Sequence, residues 1–347
     1  MTDNAIVMAP HQIGGLALNQ DGLIDINASR PWIDKRGRSV ITVNGKNYEI
    51  KTNALLQKDE WISYDSTVRR ITEDRLVGIS DLQAAGLVYN AGDLGSTIAE
   101  WESSSDMSEA EANMAGVTET EKDSMAFALS GVPIPVIRKD FTVNIRRLLA
   151  SRRAGASIDT MQAALAARKV AEKSEEMLFN GLGNIGAVNT YSLYGYTNHP
   201  NRITGSVVDY TDTANVIGAD ILDNVLAMIA DAEGKKHYGP YNLYVPTNFW
   251  AQLRADYSDN KGDNTVLERI EAVPQIMSVK VADRLAASNV VLVQMTPEVV
   301  DLAVAQDVTT VQWERGDGMQ TNFAVMAAWA PRIKADYESN LGIVHYS

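Results

Sequence analysis

Residues 135–181 read PVIRKDFTVNIRRLLASRRAGASIDTMQAALAARKVAEKSEEMLFNG. Two periodicities meet in this stretch. In its first part Ile137, Phe141, Val143 and Ile145 alternate with Arg138, Asp140, Thr142 and Asn144. That is the period-2 pattern of a half-buried strand, and Lys139 is its one exception on the apolar side. A basic segment, Arg146 to Arg153, follows, and Gly155 breaks it. Asp159 suits a helix N-cap, and the spacing predicts a long helix from Thr160 to about Asn180. Gly181 suits the left-handed position just past a helix end. Ala163, Ala164, Ala166, Ala167 and Ala171 make the helix thin, while Met161, Leu165, Val170, Met177 and Leu178 supply apolar bulk. At ~1.5 Å per residue it spans roughly 30 Å.

Working outward, the chain has 347 residues, 45% hydrophobic and 22% charged, which is enough for two domains or one large, elaborated one. It contains no cysteine, so disulfides, thiolate metal sites and thiol catalysis are excluded. The formal charge of −13 argues against a protein built to grip nucleic acid tightly. The start of the chain lacks the pattern of a signal peptide, and no run approaches the ~20 apolar residues of a membrane span.

On the N-terminal side, Met1 to about Leu56 reads as an arm. Within it Ser39 to Lys51, SVITVNGKNYEIK, places two strand-like runs around Asn44-Gly45. Asn-Gly favours a type I′ turn, so this is a hairpin. An isolated hairpin is marginal in water, so it must lie on its own core or on a neighbour. Trp61 to Leu76 has helical spacing. Between Trp101 and Asp123 stand seven carboxylates against one lysine, too polar to build a core. Gln83 to Val132 therefore reads as a long projecting, two-stranded excursion, with strand-like residues at Leu87 to Tyr89 and Ala126 to Ala128.

On the C-terminal side, Gly181 to Gly205 is a Gly-, Asn- and Tyr-rich connection. Thr213 to Ala232 is an amphipathic helix with Ile221, Val225, Met228, Ile229 and Ala232 on one face. A Gly-Pro turn leads into a strand, Tyr241 to Val245, and a helix capped by Thr247 runs to about Tyr257. Strands are expected at Ile276 to Val281 and Val290 to Met295, with a weaker one at Val300 to Ala305. This order predicts an α/β domain between two β-rich stretches. The tail carries strands at Thr309 to Arg315, Thr321 to Tyr337 and Leu341 to Tyr346.

Catalytic motifs find no foothold. Gly181, Gly183 and Gly186 match G-x-G-x-x-G, but the fingerprint needs a preceding strand and here a helix precedes it, so a helix C-cap explains the glycines. His11, His199, His237 and His345 have no metal-ligand spacing, and neither a nucleophile elbow nor a phosphate-binding loop is present. The six tryptophans are spread out as core or interface anchors. No catalytic, cofactor or metal site is expected. An arm and an acidic loop that cannot stabilise themselves, attached to a strand and a thin helix, have the logic of a subunit that assembles.

The text from Pro133 to Asn189 resembles the encapsulin-like branch of phage major capsid proteins, which carry the Hong Kong 97-type capsid fold. The resemblance rests on Pro135, Phe141, Gly155, Asp159, the acidic pair Glu175 and Glu176, Phe179 and Gly181. Asp220 to Val245, with its Gly-Pro-Tyr turn, is a second match, and the long C-terminal strands are a third. The resemblance implies an α+β chain. Residues 1–60 would be the N-terminal arm, and 83–132 an extended loop over a neighbouring subunit. Residues 61–82, 133–212 and 309–347 would be the peripheral domain, with its spine helix at 159–180, and 213–308 the axial domain. It implies a non-enzymatic major capsid protein of a tailed phage, forming hexamers and pentamers around double-stranded DNA. Portal, scaffold and decoration proteins are the possible partners, with no membrane, and the place is the virion after assembly in the host cytoplasm. The alternative is an encapsulin-type compartment around a protein cargo, and encapsulins usually begin with a short helix rather than an arm. A soluble α/β enzyme is the third class. Candidate inter-subunit residues are Trp101, Glu102, Glu109 and Glu111 on the loop, Arg146, Arg147, Arg152 and Arg153 as their basic complement, and Asn44 and Gly45 in the arm.

Overall fold

In the computed structural model the described residues are 32–33, 39–43, 46–49, 66–71, 76–107, 109, 114, 124–144, 146, 161–183, 192–212, 215–257, 264–314 and 320–347. The strands are β1 (Trp32–Ile33), β2 (Ser39–Val43), β3 (Lys46–Glu49), β4 (Val88–Asn90), β5 (Ile98–Ser104), β6 (Phe127–Pro133) and β7 (Val136–Asn144). They continue with β8 (Ile203–Gly205), β9 (Tyr241–Val245), β10 (Ile276–Val281), β11 (Val290–Gln294), β12 (Val300–Glu314), β13 (Gln320–Ile333) and β14 (Ile343–Tyr346). The helices are α1 (66–71), α2 (Gly78–Ala84), α3 (Met161–Asn180), α4 (Gly218–Glu233), α5 (Thr247–Leu253) and α6 (Val266–Glu271).

The chain divides into two compact units. The first takes residues 1–75, 136–173 and 306–327. In its N-terminal part β1, β2 and β3 form an antiparallel sheet. Val43 pairs with Lys46, the register a two-residue connection requires. Asn44 and Gly45 themselves lie outside the described residues, and the sequence pattern did not announce β1. In β7, Ile137 is buried and Phe141 and Val143 are half-buried, with exposed polar residues between them, as the alternation predicts. Phe141 stacks on Phe323 of β13 at 5.3 Å, and the Arg138 guanidinium lies 4.7 Å from the Trp313 ring.

The second unit holds 76–135, 174–305 and 328–347. Its centre is a mixed sheet of order β10-β9-β11-β14-β8. β9 runs parallel to β10 and antiparallel to β11, and β14 lies between β11 and β8. All five residues of β9 are buried, because both faces are covered. Tyr241, Leu243 and Val245 point into a core with Val225, Met228 and Ile229 of α4, Phe249 of α5 and Ile270 of α6. Asn242 and Tyr244 point the other way, where Tyr244 meets Phe179 and Tyr196 at ring distances of 5.2 and 6.3 Å. Burying one such side chain contributes about 1.5–3 kcal/mol, so this sheet carries much of the unit's stability.

Helix α4 buries the face its spacing predicts: Ile221, Val225, Met228, Ile229 and Ala232. It starts at Gly218, later than Thr213, where Asp220 accepts from the Ile217 amide at 2.9 Å. Its buried Asn224 is satisfied by the Tyr210 hydroxyl at 3.1 Å and the Ser206 carbonyl at 3.3 Å. Helix α5 stops at Leu253 rather than near Tyr257, and Pro246 occupies its N-cap position. Thr247, read as the cap, gives its hydroxyl to Asp283 instead. Helix α6 was missed, although Thr265 and Glu268 form a reciprocal capping box, each accepting from the other's backbone amide at 3.2 Å.

Three strand expectations change. Val300 to Ala305 and the run from Thr309 to Glu314 belong to one continuous β12, while Arg315 lies outside the described residues. The residues read as the excursion's outgoing limb form β4, which pairs in parallel with β12 rather than with a returning limb. The excursion is two-stranded further out, where β5 and β6 pair antiparallel from Ile98↔Pro133 to Ser104↔Phe127. The last strand, β14, read with the tail, is a member of the mixed sheet.

Candidate assembly surfaces

The end of α3 decides where several groups stand. Gly181 has φ +66°, and its amide donates to the Met177 carbonyl at 2.9 Å. A Cβ there would lie 2.6 Å from the Leu193 carbonyl oxygen, so glycine is required. The carbonyls of Leu178 and Phe179 accept from the amides of Tyr196 and Thr197 at 3.0 and 2.8 Å. These are groups that a helix terminus leaves unsatisfied. The G-x-G pattern thus begins as a helix C-cap, while Gly186 lies outside the described residues.

Glu175, one turn earlier, reaches α2. Its carboxylate accepts from the amides of Gly78 and Ile79 at 3.2 and 3.1 Å, capping a helix whose own N-cap, Val77, has no polar side chain. Burial pushes Glu175 up to about 7, helped by the nearby charge of Asp81 and opposed by these amide bonds. Asp81 is buried too, and accepts from Lys280, the Tyr244 hydroxyl (2.9 Å) and Asn242 (3.4 Å). Burial, with the carboxylates of Glu175 and Asp81 nearby, pushes the Tyr196 hydroxyl far up. A second buried network ties β12 to β13. Arg332 holds Asp301 through two bonds of 2.6 and 2.5 Å, Lys334 adds a third at 2.7 Å, and the guanidinium lies 3.7 Å from the Tyr89 ring. These networks position elements, and no described cluster of three His, Asp or Glu could hold a metal ion.

The β5–β6 ribbon is different. Cross-strand partners share a face, so Glu100, Glu102 and Ser104 stand beside Gly131, Leu129 and Phe127. Phe127 is 67% exposed and Leu129 58%. The opposite face carries Trp101, Ser103, Ala128 and Ser130, and it walls a cavity of about 470 Å³ completed by Tyr194, His199 and Tyr337.

Of the candidate inter-subunit residues, Glu102 lies on the exposed ribbon face, whereas Trp101 turns to the cavity, half-buried and 6.0 Å from Arg332. Glu109 is exposed. Arg146 is exposed, and its amide donates to Asn144 at 2.9 Å. Glu111, Arg147, Arg152 and Arg153 lie outside the described residues, as do Asn44 and Gly45. Sequence reading missed Phe127 and Leu129, although the alternation in Met125-Ala-Phe127-Ala-Leu129 is visible. It also assigned Met161 and Leu165 to the apolar bulk of α3, which holds for Val170, Met177 and Leu178. Met161 and Leu165 are instead 66% and 53% exposed, since the alanine face supplies the buried side at that end. No described helix is long and apolar enough to cross a membrane.

Known proteins share this architecture. The chain is 26% identical over 283 residues to the type 1 encapsulin shell protein EncA of Myxococcus xanthus, covering 80% of this chain and 90% of EncA. A virus-like particle from Pyrococcus furiosus superposes with a TM-score of 0.59 at 17% identity, covering 83% of this chain and 99% of that one. The capsid of Myoviridae phage XM1 gives a TM-score of 0.58 at 12% identity, covering 78% and 91%. Both likenesses are of fold, and they establish the Hong Kong 97-type capsid architecture that the sequence resemblance implied. A family model matches residues 50–346, and the chain belongs to that family of unknown function, DUF6260, with the fold of capsid and encapsulin shell proteins.

Proposed function

We propose that this chain is the subunit of a closed icosahedral shell and that its work is geometric rather than catalytic. The carrying observation is the β5–β6 ribbon, whose outward face exposes Phe127 and Leu129 beside two glutamates. Large exposed apolar residues grouped on one face mark an interaction surface. Under this reading 83–132 is a loop that lies over a neighbouring subunit, 213–308 meets its copies in rings, and the N-terminal arm adds a further clamp. Many weak contacts engaged at once give large avidity. A basic segment such as Arg146 to Arg153 offers acidic residues of the loop a complement, so molar salt loosens the shell.

The first reading of the shell is a tailed-phage capsid around double-stranded DNA, because the arm is long and carries the β1–β3 sheet. The second is an encapsulin-type compartment, favoured by the likeness to EncA across 90% of that protein. Particles from the full chain decide between them by diameter and contents. Large particles whose DNA survives nuclease support the capsid, and smaller ones co-purifying with one protein support the compartment. Deleting 39–51 weakens assembly while leaving the melting temperature of the subunit in place. Normal particles from that deletion would show the arm to be dispensable.

A further inference from the structure

We infer that His199, Arg202 and His345 form a binding site for one small tetrahedral oxyanion, inorganic phosphate in the simplest case. The site does not depend on the shell reading. Its frame is local. Pro200 stands second in the turn His199-Pro200-Asn201-Arg202, the position its fixed φ suits. The turn closes with the Arg202 amide donating to the His199 carbonyl at 3.3 Å. Arg202 is thereby set at the start of β8, the neighbour of β14. In β14, Val344 and Tyr346 point into the helix-side core, so His345 between them faces the other side of the sheet. There Arg202 Nε donates to His345 Nδ1 at 3.1 Å, and a terminal guanidinium nitrogen donates to the His199 carbonyl at 2.9 Å.

The three side chains hold more donors than they use. A guanidinium offers five N–H groups. Arg202 uses two of them and meets no carboxylate among the described residues. Because His345 Nδ1 accepts, the ring proton sits on Nε2, which is buried and has no acceptor among the described residues. His199 Nδ1 accepts from the Asn201 amide at 3.2 Å, so its Nε2 also carries a proton to give. Burial and then the charge of Arg202 push both histidines down to about 4, the response of imidazoles to a cation that no anion balances. An oxyanion would satisfy the buried donor and neutralise the guanidinium in one step. Donors on three separate side chains suit an ion with oxygens in several directions better than a planar carboxylate. His199 and His345 are only 8% and 6% exposed, so the occupant is a free ion rather than the phosphate of a polymer backbone. His199 also walls the cavity beside the ribbon, which gives such an ion a way in. Asp336 lines that cavity too, but its carboxylate is engaged by the Asn340 amide at 2.6 Å and side chain at 3.1 Å.

Calorimetric titration of the purified full chain with inorganic phosphate, at neutral pH and against sodium chloride of equal ionic strength, tests the site. Saturable binding of one phosphate per chain is expected. Arg202→Gln should weaken it about tenfold or more, and a short oligothymidylate, whose phosphates are all diesters, should not displace it. No saturable heat, binding that Arg202→Gln leaves unchanged, or displacement by the oligonucleotide would each overturn the inference. Should Arg202→Gln fail to fold, nitrogen-15 spectra of the histidine-labelled, unaltered chain decide. The chain has four histidines. Phosphate should move the ring signals of His199 and His345 and leave those of His11 and His237 in place. Rings that stay unmoved, or four that move together, would contradict the site.

Discussion

Strand β9 and the β5–β6 ribbon use the same backbone geometry to opposite ends. β9 has a strand on each side, and every one of its residues is buried. Its odd residues meet α4, α5 and α6, and its even residues meet Asp81, Phe179 and Tyr196. The ribbon pairs only with itself among the described strands, and its outward face is open. A two-stranded ribbon is at best marginally stable alone. Stability and assembly are thus separable. Substitutions around β9 should unfold the subunit, and substitutions on the ribbon should leave it folded but solitary.

The largest stability effect is expected in the helix-side core. Phe249→Ala removes a fully buried ring beside Tyr210, 4.5 Å between centroids, and should cost about 3–5 kcal/mol in denaturant unfolding. Next comes Arg332→Ala, which leaves buried Asp301 with Lys334 alone and should cost about 3 kcal/mol. A loss under about 0.5 kcal/mol at either site would blur the contrast with the ribbon.

A third prediction concerns pH. Glu175 is pushed up to about 7 from 4.5, so between those values the folded chain keeps a proton that the unfolded chain has released. Its contribution to stability is full below about 4.5 and is lost as pH rises to about 7. His199 and His345 act in the opposite sense. Burial and then the charge of Arg202 push both down from 6.5 to about 4. Arg202 bonds to the His345 ring at 3.1 Å and to the His199 carbonyl at 2.9 Å. Stability from these two rises with pH between about 4 and 6.5. Glu175→Gln should therefore steepen the rise across pH 4.5 to 6.5 by about one proton, measured as unfolding free energy against pH. An unaltered slope would show that Glu175 does not titrate in this window.

The smallest stability change belongs to the ribbon. Phe127→Ser with Leu129→Ser should shift unfolding by no more than about 0.5 kcal/mol, since both side chains already face solvent. The same pair should abolish large particles in light scattering, and full assembly by this variant would remove the ribbon from the shell's contacts.

Local signals carried much of the fold. The Gly-Pro turn and the short strand-like runs located β9 and β10 to the residue, and Gly181 located the end of α3. What failed to show depends on distant partners. Gly78–Ala84 carries no side-chain cap of its own and is held by Glu175, 97 residues from Gly78, so most of GISDLQA falls in the gap between the helical spacing that ends at Leu76 and the excursion that begins at Gln83. Leu87 to Tyr89 looked like a limb of the excursion because nothing local shows that β12 will pair with it. Asp81, Asp301 and Arg332 are charged in sequence and buried in the fold, legible only once their partners are placed. Exposed Leu165 and buried Val170 read alike in a helical wheel until the alanine face is seen to be the one that packs.

The most direct test is sedimentation velocity of the purified chain across a wide concentration range, with electron micrographs of the fastest fraction. Shell assembly predicts a megadalton species that resolves as closed, uniform particles. A monomer or small oligomer that persists at the highest concentration and in crowding agents would contradict it.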